Sequence, residues 1–400
     1  MAFKNINDLI AGGIQGKFIL LRLDLNLPLD GKGNVSDYTR LNRVLPTIRL
    51  LQKSNSKIII LTHLGRPKGK MVADLSLKPI RAALSEKLSC DVRLASDIRS
   101  AKDEKKKMQK GGILLLENLR FHVGEEKNDG DFARELAALG DYYVNDAFSV
   151  SHRAHASVEK ITHYINSFAG LAMEQELTFL EKTLSSPARP VAAVIGGAKI
   201  STKIAIIENI LDKIDHLIIG GAMANTFLLY QGINVQKSLV EEDCLPIAGQ
   251  VLQQAKEKNV TVYLPSDVVC APKLEANIIC ENTPIQNIPK DHMILDLGEA
   301  SVQAIKNILS ECSVVLWNGP LGAFEVEPFD AATNAVLLHV AHLTTDKNIL
   351  SIAGGGDTAH ALHHCGVDEK FSYLSTAGGA FLEYIEGKML PGVKALDNQS

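Results

Sequence analysis

Short apolar runs, rich in β-branched residues, recur along the chain and alternate with longer stretches of helical periodicity. The apolar runs occupy residues 17–26, 57–65, 111–120, 141–148, 189–197, 215–221, 260–267, 313–320 and 348–356. The helical stretches between them include residues 39–54, 78–89, 131–140 and 202–214. Continuous apolar runs suit strands buried on both faces of a parallel sheet, and strand–helix alternation is typical of doubly wound folds. The sequence therefore predicts an α/β protein built on parallel sheets flanked by helices.

An uneven distribution of charge indicates that the strands form two sheets. The 400 residues carry a formal net charge of −4, which divides into +8 for residues 1–170 and −12 for residues 171–400. Of the twelve arginines, only Arg189 lies in the second part. At about 150 residues per domain the length allows two or three domains. We predict an N-terminal lobe over 1–170, a hinge helix over 171–186 within the helical stretch 168–190, and a C-terminal lobe over 187–375.

The composition argues against several functional classes. A net charge of −4 and a pI near 6.3 disfavour binding of nucleic acid by the whole chain, which usually requires a strongly basic protein. No apolar run approaches the roughly 20 residues of a membrane span. The six cysteines include no C-x-x-C pair, so neither a zinc site nor a redox pair is indicated. We expect a cytoplasmic protein with free thiols and with no nucleic-acid or membrane partner.

In the first half, basic residues lie at or just after the ends of the predicted strands. Open parallel sheets bind ligands at the carboxyl ends of their strands, so these side chains should line one rim. Several arginines on one rim are costly unless an anion compensates them, and the arginine fork matches phosphate and carboxylate oxygens. A small, multiply charged acid is the predicted ligand. The residues concerned are Arg22, Arg40, His63, Arg66, Arg120 and Arg153.

In the second half, glycine-rich turns follow the predicted strands. Residues 196–199 and 354–358 each contain such a turn and lead into a helical stretch. Backbone amides at a helix start hold phosphates, which predicts a nucleotide site. The carboxylate of Asp357 suits a Mg²⁺ that accompanies the phosphates. The usual nucleotide motifs are missing: residues 11–18 approach a P-loop but have Ala11 and Phe18 at required positions, and no G-x-G-x-x-G opens the first helix.

Nine segments, taken in order, resemble the phosphoglycerate kinase family over almost the whole chain. They are RLDLNLP (22–28), HLGRP (63–67), LLENLRFHVGEEKN (115–128), NDAFSVSHRAHAS (145–157), GGAKISTK (196–203), GGAMANTF (220–227), LWNGPLGAFE (316–325), GGGDT (354–358) and STAGGAFLEYIEGKMLPG (375–392). The resemblance implies two similar-sized lobes, with the C-terminal segment 376–400 packing back on the N-terminal lobe. It also implies a monomer that closes by hinge bending.

The implied reaction is reversible, Mg²⁺-dependent phosphoryl transfer between 1,3-bisphosphoglycerate and ADP, giving 3-phosphoglycerate and ATP. Phosphoryl transfer relies on positioning and electrostatics, and the attacking group is already an oxyanion. A general base is therefore unnecessary. This agrees with the sequence, in which no Ser/His/Asp or Cys/His catalytic arrangement is recognisable.

The resemblance also implies a role for individual residues. The residues implied for phosphoglycerate binding are Asp24, Asn26, Arg40, His63, Arg66, Arg120 and Arg153. Those implied for the nucleotide are Lys199, Lys203, Asn318, Glu325, Gly354, Gly355, Gly356, Asp357 and Thr358, with Asp357 also the metal ligand. Arg40, Lys199 and Gly378 are implied in catalysis.

Two alternatives stay open from the sequence alone. One is a nicotinamide-dependent dehydrogenase, because doubly wound sheets often bind dinucleotides. The other is a non-catalytic protein that binds sugar phosphates or nucleotides and keeps the anion rim.

Overall fold

A computed structural model describes residues 3–184 and 187–397, and the chain divides into two compact units. Residues up to Thr178, together with the segment from Met389, form the N-terminal unit, and Phe179–Lys388 forms the C-terminal unit. The predicted ranges 171–186 and 376–400 include residues 185–186 and 398–400, which lie outside the described part. Residues 376–388 group with the C-terminal unit, whereas we predicted that the returning segment starts at 376.

The N-terminal unit contains a six-stranded parallel sheet in the order β3-β4-β2-β1-β5-β6. Its strands are β1 (Phe18–Leu23), β2 (Lys57–Leu61), β3 (Val92–Ala95), β4 (Ile113–Leu116), β5 (Tyr142–Asp146) and β6 (Ser167–Ala169). Successive β1 side chains face opposite layers: Leu21 belongs to one buried cluster and Leu20 to another. Burial on both faces explains why these strands read as continuous apolar runs.

Helices cover both faces of this sheet. They are α1 (Ile6–Ala11), α2 (Thr39–Lys53), α3 (Lys78–Leu88), α4 (Ile98–Lys107), α5 (Val123–Glu126) and α6 (Gly130–Ala137). Leu41, Ile48 and Leu51 of α2 join the same buried cluster as Leu21. Helix α7 (Leu171–Leu184) follows β6, so residues 168–169 of the predicted helical stretch are strand.

The C-terminal unit repeats the plan with the order β15-β14-β13-β7-β8-β9, again all parallel. The strands are β7 (Val191–Ile195), β8 (His216–Ile219), β9 (Thr261–Tyr263), β13 (Val314–Asn318), β14 (Leu350–Gly354) and β15 (Tyr373–Ser375). A smaller antiparallel sheet, which the sequence did not predict, pairs β10 (Asp267–Ala271) with β11 (Glu281–Pro284) and β12 (Met293–Leu297). Two six-stranded parallel sheets confirm the predicted α/β class.

The helices of this unit are α8 (Ile204–Ile210), α9 (Met223–Tyr230), α10 (Leu245–Glu257), α11 (Glu299–Leu309), α12 (Ala331–Lys347), α13 (Gly356–His364) and α14 (Gly379–Ile385). Helix α14 packs on α8, where Asn209 donates to the carbonyl of Ile385. This contact ties residues after β15 to the C-terminal unit. The last helix, α15 (Pro391–Asp397), belongs to the N-terminal unit, and its Gly392 amide donates to Ser151 O at 2.8 Å.

Each six-stranded sheet contains one pair of adjacent strands from which the chain connections run in opposite directions. These pairs are β1 and β5 in one unit and β7 and β13 in the other. Open α/β sheets bind ligands outside the carboxyl ends of such strands. The topology alone therefore marks the ends of these four strands as candidate sites. Among the described residues, no helix has the length and apolar composition needed to cross a membrane.

Candidate active site

At the ends of β1 and β5, a buried carboxylate joins three segments. Asp24 follows β1 and is 8% exposed. Its Oδ2 accepts from Arg40 Nη1 on α2 at 3.1 Å and from Ser149 Oγ after β5. Arg40 Nη1 also donates to Asn26 O at 3.2 Å, and Asn26 Oδ1 accepts from the Gly65 amide at 2.8 Å. The structure thus brings together Asp24, Asn26 and Arg40, and it adds Ser149, which the sequence did not single out.

Three further arginines surround this group, and they differ in burial and in the contacts that they make. Arg120, 4% exposed, donates to Gly65 O at 2.8 Å and lies 3.5 Å from Glu126 Oε1. Burial, with the neighbouring Arg22 charge, lowers the pKa of Arg120 to about 10, so it stays charged at neutral pH. Arg153 is half-buried and its Nε contacts His152 Nε2 at 3.2 Å, while Arg66 is exposed. Anion contacts therefore remain available at the rim.

His63 is a neutral donor rather than one of the cations. It is 3% exposed, and its Nδ1 lies 3.3 Å from Arg22 Nη2. Because a guanidinium only donates, Nδ1 is the acceptor and the ring proton sits on Nε2. Burial, followed by the charges of Arg22 and Arg120, places the pKa of His63 well below its usual value. The prediction of His63 as a basic group is corrected to a neutral imidazole.

Arg22 lies beneath the rim, which corrects its predicted place upon it. The side chain is fully buried, and its Nε donates to Ser157 Oγ at 2.9 Å. Ser157 Oγ in turn donates to Glu125 Oε1 at 2.6 Å, and the Ser157 amide donates to Oε2 at 3.0 Å. Burial raises the pKa of Glu125, although Arg22 and Ser157 oppose this. Ser157 and Glu125 thus fix the position of Arg22, and Arg22 in turn contacts His63 of the site.

At the ends of β7 and β13, Asn318 links the predicted nucleotide residues. Its Oδ1 accepts from Lys203 Nζ, and its Nδ2 donates to Gly354 O at 2.6 Å. The next amide, Gly319 N, donates to Thr358 Oγ1 at 2.7 Å. Burial lowers the pKa of Lys203, and the nearby Asp357 acts in the opposite direction. One strand end therefore holds a lysine, a helix start and a glycine-rich turn together.

The turn after β14 is built for close approach to a ligand. Gly355 has φ of +102°, and an added Cβ would lie 2.7 Å from Asn318 Nδ2, so only glycine fits. Gly356 begins α13, is exposed, and would have nothing within 4 Å of an added Cβ. The backbone at the start of α13 is therefore open to the approach of a ligand.

The same turn fits a magnesium ion that shares its ligands with phosphates. Asp357 is exposed in the first turn of α13. Among the described residues, no group of three or more His, Cys, Asp or Glu side chains could hold a metal without help. Mg²⁺ usually takes one or two carboxylates and completes its shell with substrate phosphates and water. A single exposed carboxylate beside a phosphate-type turn meets that requirement.

The remaining predicted residues lie around these groups. Lys199 is exposed after β7, and Glu325 is exposed beyond β13. Gly378 follows β15 with φ of +53° and nothing within 4 Å of an added Cβ.

An apolar cavity of about 380 Å³ opens beside Asp357 and Glu325. Its walls come from β12, from the loop after β13 and from the chain around Leu239 and Leu274. The sequence did not reveal these residues, because an apolar wall assembled from separate segments has no motif. The successive glycines 220–221, one of which lines the cavity, were the available signal.

Comparison with known proteins identifies the family. The profile of the family described as phosphoglycerate kinase matches residues 6–388. The chain belongs to the phosphoglycerate kinase family. A phosphoglycerate kinase of Methylorubrum extorquens (strain PA1) is 51% identical over 399 residues and covers 99% of both chains. The phosphoglycerate kinase of Rhizobium meliloti (strain 1021) is 50% identical over 398 residues, again covering 99% of both.

Solved structures agree with the sequence relatives. The structure of phosphoglycerate kinase from Coxiella burnetii matches with a TM-score of 0.93 and 38% identity, over 99% of each chain. The chain is therefore a phosphotransferase with a carboxyl group as acceptor, and its substrates are phosphoglycerate and ADP or ATP. The predicted family, fold class and enzyme activity are confirmed, and the dehydrogenase and non-catalytic alternatives find no support.

Proposed function

We propose that the N-terminal unit binds 3-phosphoglycerate or 1,3-bisphosphoglycerate at the carboxyl ends of β1, β2, β4 and β5. The observation that carries this assignment is Asp24, which holds Arg40 at 3.1 Å beside Asn26. Asp24 and Asn26 would take the hydroxyl and carboxyl end of the substrate. Arg66, Arg120 and Arg153 would take the 3-phosphate, because charged guanidinium groups suit its oxygens. His63 would add a neutral Nε2–H donor.

We propose that the C-terminal unit holds the nucleotide around Asn318. Lys203, Gly354, Gly355, Gly356 and Thr358 would surround its phosphates, because their amides and charge converge at one helix start. Glu325 would accept from the ribose hydroxyls. The apolar cavity that Glu325 also lines would take the nucleoside.

Phosphoryl transfer needs compensation of charge more than proton transfer. Arg40 and Lys199 would supply positive charge to the transferring group, and the amide at Gly378 would add a donor. Mg²⁺ held by Asp357 and the nucleotide phosphates would neutralise part of the phosphate charge. The attacking oxygen is already ionised, so no residue is assigned as a general base.

We propose that the enzyme acts as a monomer in the cytoplasm, without nucleic-acid or membrane partners. The support is the family resemblance, together with the net charge of −4 and the six free cysteines. Hinge bending about the predicted hinge helix stays a prediction. Sedimentation of the purified chain would test the monomer: a mass of twice 43.4 kDa would contradict it.

The substitution Arg40→Ala tests the assignment of the site. We expect it to remove most turnover while the protein stays folded, because the guanidinium that compensates the transferring group is lost. The measurement is ADP release that depends on ATP, Mg²⁺ and 3-phosphoglycerate, with circular dichroism as the folding check. Arg49→Ala is the matched control, since Arg49 lies exposed on the same helix. Near-wild-type turnover of Arg40→Ala would contradict the assignment.

A further inference from the structure

The lysine proposed for the nucleotide phosphates, Lys203, and the one proposed for the transferring phosphoryl group, Lys199, flank one short turn. Residues Ile200–Thr202 form a single 3₁₀ turn, with Lys199 directly before it and Lys203 directly after it. Thr202 Oγ1 donates to Lys199 O at 2.9 Å, which closes the turn on itself. Whatever fixes this turn therefore fixes the starting points of both side chains.

A carboxylate from a distant segment holds the turn. Glu241 Oε2 accepts from the Ser201 amide at 3.1 Å, and Oε1 accepts from Ser201 Oγ at 2.6 Å. Glu241 is itself anchored, because its amide donates to Thr226 Oγ1 at 3.1 Å, and Thr226 is fully buried on α9. Glu241 thus links the turn to helix α9 of the same unit.

The charge state of Glu241 agrees with this arrangement. Burial acts to raise its pKa, but hydrogen bonds from the Ser201 side chain and from the Ser201 and Ile200 amides outweigh burial. The Lys199 charge acts in the same direction as these bonds. The net effect is a lowered pKa, so Glu241 is ionised at neutral pH and accepts charge-assisted hydrogen bonds.

We infer that Glu241 is a positioning residue that holds the Lys199–Lys203 turn ready for the nucleotide phosphates. It touches neither substrate in this role, and the inference rests on the proposed function of the two lysines. Preorganised donors cost nothing to reorient when the nucleotide binds or when charge moves. A loosened turn would therefore raise the KM for ATP and lower kcat, and it would leave the KM for 3-phosphoglycerate unchanged.

The test compares Glu241→Ala with Glu241→Gln and with Glu242→Ala. Glu242 is the adjacent carboxylate and is exposed, so it controls for the loss of one negative charge. For Glu241→Ala we expect the KM for ATP to rise about five- to tenfold, the effect of losing one or two such hydrogen bonds. Glu241→Gln keeps one acceptor oxygen and should recover part of the affinity. Glu242→Ala should behave like the wild type.

A double substitution separates positioning from general destabilisation. If Glu241 acts through Ser201, then Ser201→Ala combined with Glu241→Ala should be no worse than Glu241→Ala alone. Equal rises in KM for both substrates, or an unchanged KM for ATP in Glu241→Gln and Glu241→Ala, would overturn the inference. The variant Lys203→Ala distinguishes a failure of the proposed nucleotide site from a failure of the inference about Glu241. If it leaves the KM for ATP unchanged, the proposed nucleotide site fails; if it raises the KM while both Glu241 variants do not, only the inference about Glu241 fails.

Discussion

Basic residues of the N-terminal unit divide into two groups according to their burial. Arg66 and Arg153 are at least partly exposed. Arg22, in contrast, is buried and hydrogen-bonds to Ser157, to His63 and to backbone carbonyls. Buried positive charge then opposes protonation of the neighbouring imidazoles. His155, 6% exposed, has its pKa lowered to about 3 by burial, followed by Arg120 and Arg22. The site therefore combines permanent cations with neutral histidines.

The lowered pKa values of these histidines predict that the folded protein loses stability in acid. The folded-state pKa of His155 lies below the unfolded value of about 6.5, so the unfolded chain takes up the proton first as the pH falls. The contribution of His155 to the free energy of unfolding should be at its maximum above about pH 6.5. Below that pH it should decline by roughly 1.4 kcal/mol per pH unit. His63 acts in the same direction. We expect His155→Gln to flatten the decline in the free energy of unfolding between pH 7 and pH 5, measured by denaturant titration.

The matched control is His163→Gln, because His163 is an exposed histidine of the same unit. It should change the dependence on pH less than His155→Gln does, because the contact of His163 Nε2 with Glu159 Oε1 at 2.9 Å lies at the surface. A His155→Gln protein whose stability falls as steeply as that of the wild type would contradict the assignment of a depressed pKa.

The sequence indicated which residues gather at the two candidate sites, but it did not indicate their protonation. Strand-end position and family resemblance pointed to Asp24, Arg40 and Lys203 because those signals are local in sequence. The lowered pKa of His63 depends on burial first and then on Arg22 and Arg120, which approach it only through the order of the strands. The sequence did not predict the roles of Ser149 and Glu241 for the same reason. Each contacts a residue that is distant in sequence, Asp24 and Ser201 respectively.

At the scale of single elements, the turn between β14 and α13 gives the sharpest prediction. Gly355→Ala would place a Cβ at a φ of +102° and 2.7 Å from Asn318 Nδ2. The strain should displace Asn318 and with it Lys203, so we expect a higher KM for ATP, a lower kcat and an unchanged KM for 3-phosphoglycerate. Steady-state kinetics with each substrate varied in turn would measure this.

Gly31→Ala serves as the control for adding a methyl group. An added Cβ at Gly31 meets nothing within 4 Å, and Gly31 lies in an exposed loop outside the proposed site. Kinetics of Gly31→Ala should match the wild type. Wild-type affinity for ATP in Gly355→Ala would show that the turn tolerates the side chain.

The strand predictions succeeded mainly where the strands are buried in the two six-stranded sheets. All nine predicted runs contain a strand, and eight of these strands are buried on both faces, which leaves a continuous apolar signal; the exception is the half-exposed β9. Strand β11 (ENTP) and strand β6 (three residues) carry no such signal. Helix α8 covers only Ile204–Ile210 of the predicted 202–214, since a 3₁₀ turn takes the residues before Lys203.

At the scale of the whole molecule, the N-terminal unit is assembled from two separated stretches of chain. Helix α15 packs against β6 and against the turns that follow β5, with Val393 and Leu396 buried. Leu396→Ala should therefore lower the free energy of unfolding by about 2–5 kcal/mol. It should also increase amide exchange in residues 142–169, which form the surface beneath α15.

Denaturant titration and hydrogen-exchange mass spectrometry would measure both effects. Lys394→Ala is the control, because Lys394 lies on the same helix and is exposed. If Leu396→Ala left exchange in residues 142–169 unchanged, the packing of α15 would contribute little to the stability of that surface.

The position of α15 also has a consequence for protein synthesis. The Gly392 amide donates to Ser151 O, two residues before Arg153, so the segment of this proposed phosphate-binding arginine contacts a residue translated almost 240 positions later. Chains emerge N-terminus first at roughly 5–20 residues per second. A nascent chain would therefore wait on the order of ten seconds or more after Arg153 is added before α15 is available to cover that surface. A chain interrupted before residue 392 would lack the hydrogen bond from Gly392 to Ser151 and the packing of α15 on this surface.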